Sequence, residues 1–270
     1  MMFNEKLAKI QRKNNSLLCV GLDIDSEKIP KFLQSSANDG LVEFNKTIIE
    51  NTHDVACAFK INLAFYEALG KNGYDLLEKT IEMIPNDLII ILDGKRNDIG
   101  NTAKKYAHAC YGVLGADAVT VNPYLGWDGV KPFLDYDEKC CFLLCRTSNP
   151  SAKDFQNLHV DGITLYMAVA QKINEWNKKG QCGAVVGATY PNELKQIRTM
   201  LEDSISLLLP GIGKQGGDVE KTVSYGTNGV GEGAIINSSR AIIYAGSDEG
   251  YADDVRKAAV QLNDTINSYR

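Results

Sequence analysis

The chain is poor in features that mark several protein classes. It has no apolar run near the roughly 20 residues a bilayer span requires. Its first residues, Met1-Met2-Phe3-Asn4-Glu5-Lys6, lead into a mixed polar segment rather than a signal sequence. No membrane association is therefore expected. Nor is there an excess of positive charge: 29 Lys and Arg stand against 34 Asp and Glu, a formal net charge of −5. That balance lacks the basic stripe of a general nucleic-acid binder, so no nucleic-acid partner is expected. A small phosphorylated ligand, which needs only a local cationic pocket, is compatible with it. Histidine is scarce: His53, His108 and His159 are scattered, and structural zinc needs clustered Cys or His, so no metal site is expected. Seven cysteines make an odd count with no Cys-x-x-Cys pair, which points to a reducing cytoplasm rather than a disulfide framework. Cys140, Cys141 and Cys145 lie in or beside an apolar segment and read as small core residues.

What is present is alternation. Short apolar segments recur at Leu17–Leu22, Val55–Ile61, Leu88–Asp93, Ala118–Asn122, Cys141–Arg146, Gly183–Gly187, Ile205–Pro210 and Gly233–Asn237. Between them lie stretches with helical spacing, such as Leu76-Leu77, Ile81 and Ile84, or Leu165-Tyr166, Val169, Ile173 and Trp176. Eight strand-helix units in 270 residues predict an α/β protein, a closed (β/α)8 barrel, ahead of an open doubly wound sheet. No low-complexity linker or composition break divides the chain, so residues 1–270 read as one domain. The longest irregular stretch, Thr147–Asp161, is long for a βα loop, and long loops on that face of a barrel are often functional.

The strands share a feature at one end. Strand one runs into Asp23, strand two into Lys60, and strand three into Asp93-Gly-Lys95-Arg96-Asn97-Asp98. Strand four ends in Asn122-Pro123, strand five in Thr147-Ser148, strand seven in Pro210-Gly211 and strand eight in Ser238-Ser239-Arg240. Asp-x-Lys-x-x-Asp alone recurs by chance in about one chain in twenty of this size. Its weight comes from following Leu88-Ile89-Ile90-Ile91-Leu92, a run expected to be buried on both faces. Charges leaving such a strand fall on the carboxyl face, where barrels build active sites. Asp93 and Lys95, two apart in extended chain, are expected to point the same way. With Lys60 and Asp98 they suggest an alternating array in which every cation has an anion neighbour. Lys95 is the expected stabiliser of a carbanion and donor of a proton.

The loop Pro210-Gly211-Ile212-Gly213-Lys214-Gln215-Gly216-Gly217-Asp218 offers backbone N–H groups to an anion, and Arg240 adds a fork-shaped cation. Barrels commonly bind phosphate after strands seven and eight.

The blocks Gly21-Leu22-Asp23, Phe59-Lys60-Ile61-Asn62, Asp93 through Thr102, Thr147-Ser148-Asn149-Pro150, Pro210 through Gly217 and Asn237-Ser238-Ser239-Arg240 together resemble the orotidine 5′-phosphate decarboxylase family, in its longer form. The resemblance spans nearly the whole chain. It implies a cofactor-free decarboxylation of orotidine 5′-phosphate to uridine 5′-phosphate, the last step of de novo pyrimidine nucleotide synthesis. By that resemblance Lys95 donates the proton to C6 and Asp93 faces the departing carboxylate, while Lys60 and Asp98 complete the array. Asp23 and Lys60 contact ribose hydroxyls, Ser148 binds the pyrimidine amide edge, and Pro210 lies in the substrate-binding loop. Gln215 and Arg240 hold the phosphate, with Ser239 adding its backbone N–H. Asp98, Ile99 and Thr102 reach the neighbouring subunit's site, implying a homodimer with shared active sites. Many relatives carry Gly where Ser239 precedes Arg240. The alternatives are a magnesium-dependent sugar-phosphate decarboxylase of the same superfamily, a Schiff-base aldolase and a non-catalytic nucleotide-phosphate binder. No segment resembles the pyrophosphate-sugar loop of a phosphoribosyltransferase, so a fused bifunctional enzyme is not expected.

Overall fold

The structure is a computed structural model and describes residues 1–35, 37–212 and 217–270. Its strands, in chain order, are β1 (Leu18–Gly21), β2 (Ala58–Asn62), β3 (Ile89–Arg96), β4 (Ala118–Val121), β5 (Cys140–Arg146), β6 (His159–Val160), β7 (Ile163–Thr164), β8 (Cys182–Val186), β9 (Ser206–Pro210) and β10 (Ala234–Ser238). Eight of them close a barrel in the order β1-β2-β3-β4-β5-β8-β9-β10, with β10 pairing back onto β1. Every barrel pairing is parallel. Each of the eight segments expected from the sequence overlaps one of these strands, with ends that differ by at most three residues. The reason is physical: barrel strands covered inside by each other and outside by helices are continuous short apolar runs. The first five residues of β3 are all buried, as are all of β4 and β8.

Helices connect the strands and supply the outer layer. The stretch expected around Val169 is a helix over Leu165–Trp176, and the one around Leu76 runs over Lys71–Met83. Helix Phe3–Lys13 presents Phe3, Leu7 and Ile10 on one buried face. It bonds to residues just ahead of β8 and β9, through Asn4 Nδ2 to the carbonyls of Gly180 and Ser204. Lys6 pairs with Asp117 just before β4. The helix therefore lies across the amino-terminal end of the barrel. All seven cysteines are buried and free, and burial pushes the Cys57 and Cys145 thiols up to about 12.

The segment Thr147–Asp161 is more ordered than the sequence suggested. It holds a short 3-10 turn over Pro150–Asp154 and runs into an antiparallel hairpin of β6 and β7. The hairpin turns on Asp161-Gly162, both with positive φ (52° and 84°), the conformation Asp-Gly favours in a two-residue hairpin turn. Among the described residues no helix is long and apolar enough to cross a membrane.

Candidate active site

A cavity of about 510 Å³ opens at the carboxyl end of the strands, with Asp23, Lys60, Asp93, Lys95, Ser148 and Arg240 in its wall. Lys60, on β2, is almost wholly buried, and its ammonium lies 3.2 Å from Asp23 Oδ1 and 3.3 Å from Asp93 Oδ2. Lys95 Nζ donates to Asp93 Oδ1 at 2.7 Å. The order Asp23, Lys60, Asp93, Lys95 is thus a continuous chain of alternating charge.

The energetics follow from burial against pairing. Burial disfavours the Lys60 ammonium, but the carboxylates of Asp23 and Asp93 outweigh it and raise its pKa. Burial likewise raises Asp93. Lys60, Lys95 and the hydrogen bonds from Lys95 and Thr120 win, leaving it at about 2. Both groups are therefore ionised at neutral pH, each held so by the other.

Asp93 and Lys95 meet as expected, though not through simple strand alternation. The β3–β4 register slips between Leu92, which pairs with Val119, and Arg96, which pairs with Val121. In that bulge Lys95 takes φ = 44°, a left-handed conformation uncommon for a side chain of this kind. Bulges of this sort re-aim side chains beside active sites.

The other expected residues divide into three groups. Ser148, Pro210, Ser239 and Arg240 line the same cavity as the charge chain. Among the described residues the Arg240 guanidinium has no carboxylate partner. Gln215, with the rest of 213–216, lies outside the described residues. Asp98, Ile99 and Thr102 do not line the cavity. Asp98 Oδ1 accepts from Ile99 N at 2.8 Å, Ile99 is exposed, and helix Gly100–Ala107 begins immediately after.

Two glycines make room for the rim. A Cβ on Gly21 would sit 1.9 Å from Ser239 Oγ, and one on Gly187 would sit within 2.9–3.0 Å of Ser148. Ser239 is thus accommodated by Gly21 on the neighbouring strand. Sequence reasoning missed Thr120, Asn237 and Gln156 in the cavity wall. Thr120 had a signal, as the one hydroxyl in the run Ala118-Val119-Thr120-Val121. Asn237 stood in a quoted block without a role, and Gln156 had no signal.

Both the sequence and the fold match known proteins. A family model described as Orotidine 5′-phosphate decarboxylase / HUMPS family matches residues 16–255. An orotidine 5′-phosphate decarboxylase of Dehalococcoides mccartyi is 48% identical over 274 residues, covering 100% of this chain and 99% of that protein. The structure of Leishmania donovani OMP decarboxylase superposes with a TM-score of 0.87 at 37% identity, covering 100% of this chain and 98% of that one. Leishmania donovani UMP synthase gives a TM-score of 0.90 at 38% identity, and there this chain spans all of its own length but 56% of the other.

Proposed function

This chain belongs to the orotidine 5′-phosphate decarboxylase / HUMPS family, and from that premise we propose that it converts orotidine 5′-phosphate to uridine 5′-phosphate and carbon dioxide, in pyrimidine synthesis, without a cofactor. One barrel domain over residues 1–270 carries the activity, in the cytoplasm. The observation that supports it most is the buried chain of alternating charge: Lys60 between Asp23 and Asp93, and Lys95 2.7 Å from Asp93.

The chemistry needs an electron pair stabilised at pyrimidine C6 and a proton delivered there. Arg240, with Gln215, grips the phosphate, while Asp23 and Lys60 hold the ribose hydroxyls and Ser148 the pyrimidine amide edge. Pro210 and the Ser239 backbone complete the phosphate end. This binding brings the substrate carboxylate against Asp93, which is ionised because Lys60 and Lys95 keep its pKa near 2. The C6–carboxylate bond breaks, its electron pair stays on C6 and carbon dioxide leaves. The Lys95 ammonium, already beside Asp93, stabilises that charge and donates its proton to C6, then regains one from solvent. Binding energy from the phosphate, remote from the reacting carbon, offsets the cost of placing two carboxylates together.

Asp98 completes the array in a neighbouring subunit, with Ile99 and Thr102, in a homodimer. In support, Asp98 lies outside its own cavity; the exposed apolar Ile99 follows it, and the exposed Tyr124, Leu125 and Trp127 lie at or just before the start of helix Trp127–Leu134, which packs on helix Gly100–Ala107. Clusters of that kind mark interaction surfaces. Loss of pyrimidine absorbance on incubation with orotidine 5′-phosphate tests the activity. Turnover unchanged by a chelator is expected, and no turnover at all would overturn the reading. Turnover abolished by the chelator would favour the magnesium-dependent sugar-phosphate enzymes instead.

A further inference from the structure

We infer that the Thr120 hydroxyl is a positioning group for this decarboxylation, setting both the carboxylate of Asp93 and the backbone of Lys95; the inference rests on the function proposed above. Thr120 is buried at the middle of β4 and reaches the cavity wall. Its Oγ1 donates to Asp93 Oδ1 at 2.7 Å and accepts from Lys95 N at 2.9 Å. A single hydroxyl has one proton and two lone pairs, so this one bridges the two reacting residues with its proton committed to the carboxylate.

The bridge stands where the sheet has given way. Five residues of β3, Leu92 through Arg96, pass against three of β4, Val119 through Val121. Ladder bonding resumes beyond the slip, where Asn122 N donates to Arg96 O at 2.9 Å. Within it, the Lys95 N–H takes a side-chain oxygen from β4 in place of a ladder carbonyl. A left-handed residue persists only where its surroundings over-determine it, and here Thr120 is the group that holds the Lys95 amide. The direction of the Lys95 side chain, and so the 2.7 Å approach of its ammonium to Asp93, depends on that amide.

Asp93 has two further cationic neighbours. Lys60 forms an ion pair with Oδ2 at 3.3 Å, while Lys95 and Thr120 both donate to Oδ1. Without the hydroxyl, Oδ1 answers to Lys95 alone, and the carboxylate can rotate with the flexible ammonium that is meant to leave it. Thr120 thus fixes Asp93 while the Lys95 proton is transferred. Its effect belongs to the chemical step and not to substrate capture, because the phosphate grip lies on the opposite strands of the barrel.

The test compares Thr120→Val, which keeps the shape and removes the hydroxyl, with Thr120→Ser, which keeps the hydroxyl. Thr120→Val is expected to lower kcat about 10- to 100-fold with KM within about threefold of wild type, the size of losing a hydrogen bond to a charged group. Thr120→Ser is expected to remain within about fivefold of wild type, and uridine 5′-phosphate to bind both variants as it binds the parent. Should Thr120→Val fail to fold, Thr120→Ala against Thr120→Ser makes the same comparison. A Val or Ala variant with unchanged kcat overturns the role, and so does a Ser variant as slow as they are, since packing alone would then explain the loss. A wild-type chain without decarboxylase activity sinks the proposed function itself, whereas active wild type with an indifferent Thr120 sinks only this inference.

Discussion

The two ends of the barrel treat polar groups in opposite ways. At the amino-terminal end, the helix Phe3–Lys13 brings its polar groups to partners inside the chain. Gln11 donates to the Ala234 carbonyl at 2.7 Å and accepts from Gly233 N at 3.1 Å, while Lys6 meets Asp117 and Arg12 meets Glu232. At the carboxyl end, buried charges crowd around an open cavity. There Asn237 Oδ1, in the cavity wall, is buried without a partner among the described residues. Buried polar atoms are normally paired, so this oxygen in the cavity wall reads as waiting for a ligand. Stability is built at the first end and chemistry at the second.

The sharpest way to break that division is at Lys95. Lys95→Ala is expected to lower kcat by about 10,000-fold or more, the scale of a lost proton donor with its electrostatic support. The variant should still bind uridine 5′-phosphate, because the phosphate grip proposed at Arg240 lies elsewhere. Near-normal turnover would remove Lys95 as donor. The same variant also probes the shared site. Lys95→Ala mixed equally with Asp98→Ala puts half the subunits' partners in heterodimers, each with one complete site. Recovery to about a quarter of wild-type activity is expected, and verified heterodimers without recovery would count against a shared site.

Arg240 is next. Arg240→Ala removes a fork-shaped cation from the cavity wall and is expected to raise KM about 10- to 100-fold, with a smaller fall in kcat. An unchanged KM for orotidine 5′-phosphate would move the phosphate site away from the ends of β9 and β10.

The same contrast explains what the sequence disclosed. The barrel was legible because a strand buried on both faces must be a short apolar run, and eight such runs leave few other architectures. The charge chain was legible because Lys60, Asp93 and Lys95 interrupt those runs at their ends. Thr120 was hidden because a hydroxyl inside an apolar strand looks like core until the register slip opposite it is seen. The hairpin at β6 and β7 had a signal in Asp161-Gly162, overshadowed by the polar character of the segment around it. The left-handed Lys95 had none, since nothing in Asp-Gly-Lys-Arg says that β3 gains residues on β4 there. Asp98 shows a different limit: the place proposed for it in a partner's cavity would be a property of two chains, and one chain shows only that it lies outside its own cavity.

The smallest expected effect lies at the amino-terminal end. Gln11 is fully buried, and its amide closes the gap between helix Phe3–Lys13 and the start of β10 through two backbone bonds. Gln11→Ala leaves the Gly233 N–H and the Ala234 carbonyl buried without partners, which costs about 1–3 kcal/mol. The midpoint of denaturant unfolding should fall accordingly with an unchanged slope. Turnover and KM should stay at wild-type values, because the strands between this end and the cavity are packed core, with β1, β4 and β8 buried throughout. A fall in kcat at full occupancy of the folded state would mean that the two ends are mechanically coupled. The division of labour between them would then be a matter of degree, and residues under the barrel floor would have to be counted among those that aim Lys60 and Asp93.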